Sequence, residues 1–190
     1  MDRSAQEENE WIERSLQGDQ QAYACLVQRY ERMVRSVVRR LIVSDAEVDD
    51  LAQAAFVTAY ENLAHYGAAA RFSTWLCQIA LNKCRDWLRA RDRHRTNIDE
   101  DADIEQMEIG DPSDGPEFRA EWGEVDSMLQ QALGQLRAGD REVIVLKYVE
   151  GHDYETIAQM LGCSADAAKL RSLRARDMLK RILVRMGVKP

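Results

Sequence analysis

The chain has 190 residues, 45% of them hydrophobic and 31% charged, with 26 Lys and Arg against 33 Asp and Glu for a formal charge of −7. No apolar run approaches the ~20 residues of a membrane span, and the acidic stretch Met1 to Glu10 has no signal-peptide core, so one or two cytoplasmic domains are expected. Cys25, Cys77, Cys84 and Cys163 are scattered without a CxxC pair, and His65, His94 and His152 lie far from metal-ligand spacing, so neither disulfide, metal nor cofactor is expected.

With only three prolines and ten glycines, the chain reads as helix after helix. Gly18-Asp19 stops one helix and starts the next, with Asp19 placed to cap it. Ala22, Leu26, Tyr30, Met33, Val37, Val38 and Leu41 then recur at three- and four-residue spacing. Ser44-Asp45-Ala46-Glu47 has the form of a capping box and opens a helix through Val48, Leu51, Ala55, Phe56, Ala59 and Leu63. A loop of small residues, His65 to Arg71, precedes Ser73, which is expected to cap a helix with Trp75, Leu76, Ile79, Ala80, Cys84, Trp87 and Leu88 on its apolar side.

From about Asp92 to Phe118 the periodicity fails, and Gly110, Asp111-Pro112, Gly115-Pro116 and Asp99-Glu100-Asp101 give a segment too polar to order itself alone. It reads as a flexible acidic linker of ~27 residues, able at ~3.3 Å per residue to stretch roughly 90 Å. Helix resumes from Trp122 to Leu136 and again from Asp140, which is expected to cap Arg141 to Val149. Tyr154 to Leu161, the turn Gly162-Cys163 and the long helix capped by Ser164 have the pattern of a helix-turn-helix. The fold class expected is therefore all-α, two small helical domains at residues 8–92 and 119–187 joined by a linker at 93–118.

The average charge conceals its distribution. Lys83 to Arg95 holds six bases against two acids, the stretch from Ser164 holds eight bases against two acids, and Asp99 to Asp126 holds twelve acids and one base. Two basic patches separated by an acidic stretch point to nucleic acid. In the last helix Ala165, Ala168, Ala175, Leu179, Ile182 and Leu183 gather on the core side, and Lys169, Arg171, Arg174 and Arg176 are placed to meet major-groove edges and phosphates. Leu170 and Leu173 project away from that core, where they suit either thymine methyls or, the better reading, a docking spot for a protein that covers the helix. Tyr66, Arg71 and Phe72, beside the basic run with Lys83, Arg85 and Arg89, suit an unstacked base and its phosphates. Trp75 and Trp87, on the apolar side of their helix, are expected in the core.

These stretches resemble the extracytoplasmic-function (ECF) sigma factors. The resemblance rests on Leu16 to Tyr23, Asp49-Asp50-Leu51-Ala52-Gln53-Ala54-Ala55-Phe56, Phe72-Ser73-Thr74-Trp75-Leu76, Arg141-Glu142-Val143-Ile144, Tyr154 to Ala158 and Leu161 to Ser164. Within the family the wording is most similar to the cobalt–nickel resistance members. The resemblance implies a non-enzymatic initiation factor whose partners are core RNA polymerase, promoter DNA and a membrane-anchored anti-sigma factor, with no small-molecule ligand. It implies that Asp49, Asp50, Leu51 and Gln53 face polymerase. It gives the −10 element to His65 to Arg91 and the −35 element to Lys169, Arg171, Arg174 and Arg176; Leu170 and Leu173 are candidate anti-sigma contacts. Three positions depart from the family pattern: Ala54 stands where Glu is usual, Ser172 where a core leucine is usual, and Asp166 would repel phosphate. The alternative is a stand-alone helix-turn-helix regulator that binds an operator.

Overall fold

The computed structural model describes residues 3–42, 44–67, 70–96 and 124–188. Among the described residues eight α-helices run in chain order: α1 (Arg3–Leu16), α2 (Gln20–Leu41), α3 (Asp45–Glu61), α4 (Phe72–Thr96), α5 (Glu124–Gly134), α6 (Ala138–Ile144), α7 (Tyr154–Leu161) and α8 (Ala165–Arg185). A 3₁₀ turn, Leu63–His65, and a π-helical turn, Val145–Val149, complete the set, with no strand among the described residues. They form two compact units, one of Met1–Val38 and Ala46–Arg89, the other of Arg39–Asp45 and Ala90–Pro190.

In the first unit, Asp19 caps α2 as expected. Its Oδ1 accepts from the amides of Gln21 and Ala22 at 2.9 and 3.2 Å, while Arg14 pairs with Oδ2 at 2.6 Å. The Arg14 guanidinium, and then the Ala22 amide, hold the Asp19 carboxyl below its ordinary range. The apolar spacing of α2 becomes core: Leu26, Val34, Val37 and Val38 have no exposure, and neither do Ala55 and Ala59 of α3 or Leu76, Cys77, Ala80 and Leu81 of α4. Each such aliphatic side chain contributes roughly 1.5–3 kcal/mol of burial, and Cys77 and Cys84 are buried thiols of that core. Glu47, the last residue of the Ser44–Glu47 box, accepts from Trp87 Nε1 through its Oε2 at 2.9 Å and joins α3 to α4. Ser73 is not the cap either: α4 begins at Phe72, and the Arg71 carbonyl accepts the amides of Thr74 and Trp75.

In the second unit, α8 packs on α5, α6 and α7. Asp153 caps α7 by accepting from the Thr156 amide at 2.7 Å. Gly162, at φ +65°, ends it in the left-handed conformation that glycine adopts cheaply. Ser164 Oγ accepts from the Ala167 amide at 3.2 Å and starts α8, as expected. Asp140 sits inside the first turn of α6 instead of capping it, since the helix starts at Ala138. Arg141 is buried, and its guanidinium donates to the Gly134 and Leu136 carbonyls at 2.7 and 3.2 Å, tying the end of α5 to α6. Burial pushes its pKa down to about 10, with nearby Arg91 adding to the shift. The linker expected over 93–118 lies outside the described residues apart from its first four, which continue α4.

Candidate nucleic-acid interface

Four aromatic rings gather where α4 begins. Phe72 is the hub: Tyr66 meets it edge-on at 5.4 Å, while Tyr30 and Trp75 rest tilted against it at 5.5 Å. Tyr66 and Trp75 also touch, at 5.2 Å. Phe72 itself is 1% exposed, so it cannot stack with a base; it carries the rings that can. Tyr66 and Trp75 are half-buried and present edges to solvent. Phe72, expected as a base contact, therefore belongs to the core, and Trp75, expected in the core, is half-buried. Hydrophobic spacing hides Trp75, because one indole can line a core with one edge and face solvent with the other. The Tyr66 hydroxyl donates to the Ala70 carbonyl at 2.8 Å, drawing in the small-residue loop, and partial burial raises its pKa. Arg71 is exposed at the loop's end.

The basic residues of α4 extend from this platform. At ~100° per residue, Arg85 and Arg89 stand within about 80° of Trp75 on the helix circumference. Arg85 Nη1 donates to Asn82 at 3.1 Å and Arg89 pairs with Asp86 at 3.4 Å. Lys83 stands about 80° from Trp75 on the other side of the circumference, where it lines a shallow hollow with Asp50, Gln53, Ala54, Val57 and Glu61.

Asp49, Asp50 and Gln53 are exposed on α3, whereas Leu51 is 8% exposed and belongs to the core, so its part in a surface contact is corrected. Asp49 pairs with Arg35 of α2 at 2.7 Å. With Gln53 they border an apolar groove of about 570 Å³ between α2 and α3, floored by Tyr23, Val27, Phe56, Val57 and Tyr60. Tyr23 spans it, its hydroxyl donating to the Phe56 carbonyl and its ring edge-on to Tyr60 at 4.8 Å; burial raises its pKa. The sequence names the rim of this groove but not its aromatic floor. Alternation of Tyr23 with Val27 and of Phe56 with Tyr60 at four-residue steps is the signal that points to it.

On α8, Ala168, Ser172, Ala175 and Ile182 are buried, and Lys169, Arg171, Arg174 and Arg176 are exposed. The face opposite that core carries Asp166, Leu170, Leu173 and Asp177, with Leu170 and Leu173 48% and 38% exposed. Lys169, Arg176 and Lys180 line one border of this stripe, Arg174 and Arg181 the other. Arg171 stands apart: it pairs with Asp140 at 3.7 Å and its guanidinium lies 3.3 Å from where a Cβ on Gly139 would project. Ser172 fills the buried position with its hydroxyl 3.5 Å from that of Tyr154.

Residues 26–94 match the family model described as Sigma-70 region 2, and residues 126–179 that described as Sigma-70, region 4. The chain is 35% identical over 170 residues to the RNA polymerase sigma factor NccH of Alcaligenes xylosoxydans xylosoxydans, covering 90% of this chain and 91% of that protein. It is 31% identical to the ECF RNA polymerase sigma-E factor of Haemophilus influenzae, over 89% and 91% of the two chains. Among solved structures, it resembles the sigma factor RpoE in complex with the anti-sigma factor NepR from Bartonella quintana, with a TM-score of 0.69 at 25% identity over 85% and 96% of the chains. It also resembles CnrH in complex with the cytosolic domain of CnrY, with a TM-score of 0.65 at 29% identity over 93% and 97%.

Proposed function

The chain belongs to the extracytoplasmic-function class of the sigma-70 family, and on that premise we propose which of its surfaces does which part of promoter recognition. It joins core RNA polymerase and directs transcription initiation at specific promoters under the control of an anti-sigma factor. The division of labour is supported by one observation: one unit carries an aromatic platform and the other a basic-edged helix. Tyr66 and Trp75, with Arg71, Arg85 and Arg89, hold the unwound strand at the −10 element, where bases stack on rings and phosphates meet guanidinium groups. The basic borders of α8, Lys169, Arg174 and Arg176, contact the −35 duplex. Arg171, held across α6 by Asp140, lies at the margin of that contact. The α2–α3 groove with Asp49, Asp50 and Gln53 on its rim receives an apolar segment of polymerase, and Lys83 lies on that side.

The chain acts in the cytoplasm, and its work is binding, not catalysis. The anti-sigma factor that holds it inactive is membrane-anchored, and it covers the Leu170–Leu173 stripe, whose flanking Asp166 and Asp177 favour a partner helix with apolar and basic residues. Run-off transcription with purified core polymerase on pooled promoter fragments tests the whole reading. New transcripts that depend on this chain and start at defined sites are expected. A tight footprint from the chain alone, with no transcript, would replace the reading with that of a stand-alone operator-binding regulator.

A further inference from the structure

Tyr30 reaches the Phe72 hub from α2, and its hydroxyl donates to Glu8 Oε2. Glu8 stands on α1, ahead of the stretch that matches Sigma-70 region 2. We propose that Glu8 is a positioning residue for capture of the melted strand: its carboxylate fixes Tyr30, and Tyr30, through Phe72, sets the tilt of the Tyr66–Trp75 platform. The inference rests on the reading of that platform as the −10 strand site.

Three observations carry it. First, the Glu8 side chain is only 17% exposed, and its partner cation Arg29 stands at 4.0 Å, the outer limit of an ion pair. A carboxylate so enclosed with so distant a counter-charge adds little to stability, because losing water costs it as much as the attraction returns. What it does make is a charge-assisted hydrogen bond to Tyr30, stronger and more directional than a neutral one. Second, Phe72 is buried with Tyr30 and Trp75 resting on it at tilts of 48° and 46°, and in a close-packed core the placing of Tyr30 is passed through the hub to Trp75. The hydroxyl bond at the far side of Tyr30 fixes that placing. Third, α1 is itself held. Arg29 donates to the Ser4 carbonyl at 3.1 Å and to the Ser4 hydroxyl, and lies 5.4 Å from the centre of the Trp11 ring. Helix α1 also packs on the Leu63–His65 turn, which runs directly into Tyr66. The platform is thus braced from α1 by two routes, one through the rings and one through the turn.

The test uses the full chain bound to core RNA polymerase and a fluorescent single-stranded DNA pool of random sequence, about 12 nucleotides long, within the span such grooves occupy. Tyr30→Phe keeps the ring and removes the donor; Glu8→Gln keeps the shape and removes the charge. Each is expected to weaken single-strand binding by roughly 3–10-fold, the range of one hydrogen bond. The double variant should be no weaker than the worse single one, the mark of a coupled pair. Affinity for core polymerase and the thermal midpoint should stay at the unsubstituted values. If Tyr30→Phe binds single strands normally while Tyr66→Ala does not, the positioning role is wrong and the platform stands. If Tyr66→Ala and Trp75→Ala also bind normally, the platform reading falls and takes the inference with it. A weakening matched by lower core affinity or a lower midpoint would mean that Glu8 merely supports the fold, which also overturns the proposal.

Discussion

Residue by residue, Phe72 and its neighbours show how far a side chain's chemistry can be read before its environment is known. Sequence places Tyr66, Arg71 and Phe72 at a small-residue loop beside a basic run, and that neighbourhood is where the platform lies. It does not say which ring is hub and which is surface, because a residue at a loop–helix junction belongs to no periodic face. The two roles separate by experiment. Phe72→Ala removes the hub from a closed core and should cost about 3–5 kcal/mol of stability, measured by denaturant unfolding. Trp75→Ala, at a half-exposed site, should leave the fold largely intact and abolish stacking with the strand. If Phe72→Ala were as stable as the unsubstituted chain, the packing described around it would be wrong. Leu51 teaches the same lesson in α3: its acidic neighbours point outward, yet the next position on the helix turns into the core. Arg141 could not be anticipated, since a guanidinium in a run of apolar residues signals nothing about backbone carbonyls five and more residues upstream. Arg141→Met keeps the apolar stem but takes the donor from three carbonyls, those of Leu41, Gly134 and Leu136, and should cost at least about 3 kcal/mol at about 1–3 per orphaned group.

At the scale of elements, the caps decide what is legible. Asp19, Asp153 and Ser164 are short polar side chains immediately ahead of apolar periodicity, and each accepts the first-turn amides of its helix. Ser73 and Asp140 have the same look and are displaced by helices that start earlier, while Glu47 of the Ser44 box is drawn to Trp87 across to α4. Local capping chemistry competes with tertiary bonds that no local window contains. Ser164→Ala should cost about 1 kcal/mol as a lost N-cap, read as a lower unfolding midpoint with the helix content retained. Ser172 makes the opposite point. It has no exposure and only a 3.5 Å approach to Tyr154, so Ser172→Ala should be nearly neutral, whereas Ser172→Leu should overpack the site by roughly 1–3 kcal/mol. The turn before α7 carries a titrating group. His152 is half-buried, and desolvation lowers its pKa against a smaller raising effect of Asp153. A depressed histidine favours the neutral form when folded, so its contribution is fully present above the unfolded value of about 6.5 and is lost as pH falls through the lower folded value. Relative to His152→Gln, the unsubstituted chain should therefore lose stability between pH 7 and 5; equal slopes for the two would remove His152 from the account.

For the whole molecule, net charge and function pull in opposite directions. A chain of −7 is repelled by DNA at long range, yet half of its bases stand on α4 and α8, with a stretch of twelve acids between them. Composition alone would exclude a DNA partner; the order of charges along the chain restores one, and on the proposed assignment of surfaces the two units make a two-site reader. The free chain should accordingly bind promoter duplex weakly, and the complex with polymerase tightly, because polymerase makes the second engagement intramolecular once the first has formed. Salt separates the contributions. Removing one base that neutralises a phosphate should reduce the slope of log affinity against log salt by about 0.9, so Lys169→Ala, Arg174→Ala and Arg176→Ala should each flatten the slope of the polymerase-bound chain. Leu170→Ala should leave that slope unchanged while weakening whatever protein covers α8. The charge pattern predicts this asymmetry and the fold explains it: the bases border the exposed face of α8, and the leucines run down its middle. A leucine substitution that flattened the salt dependence as a base does would put DNA, not protein, on that stripe.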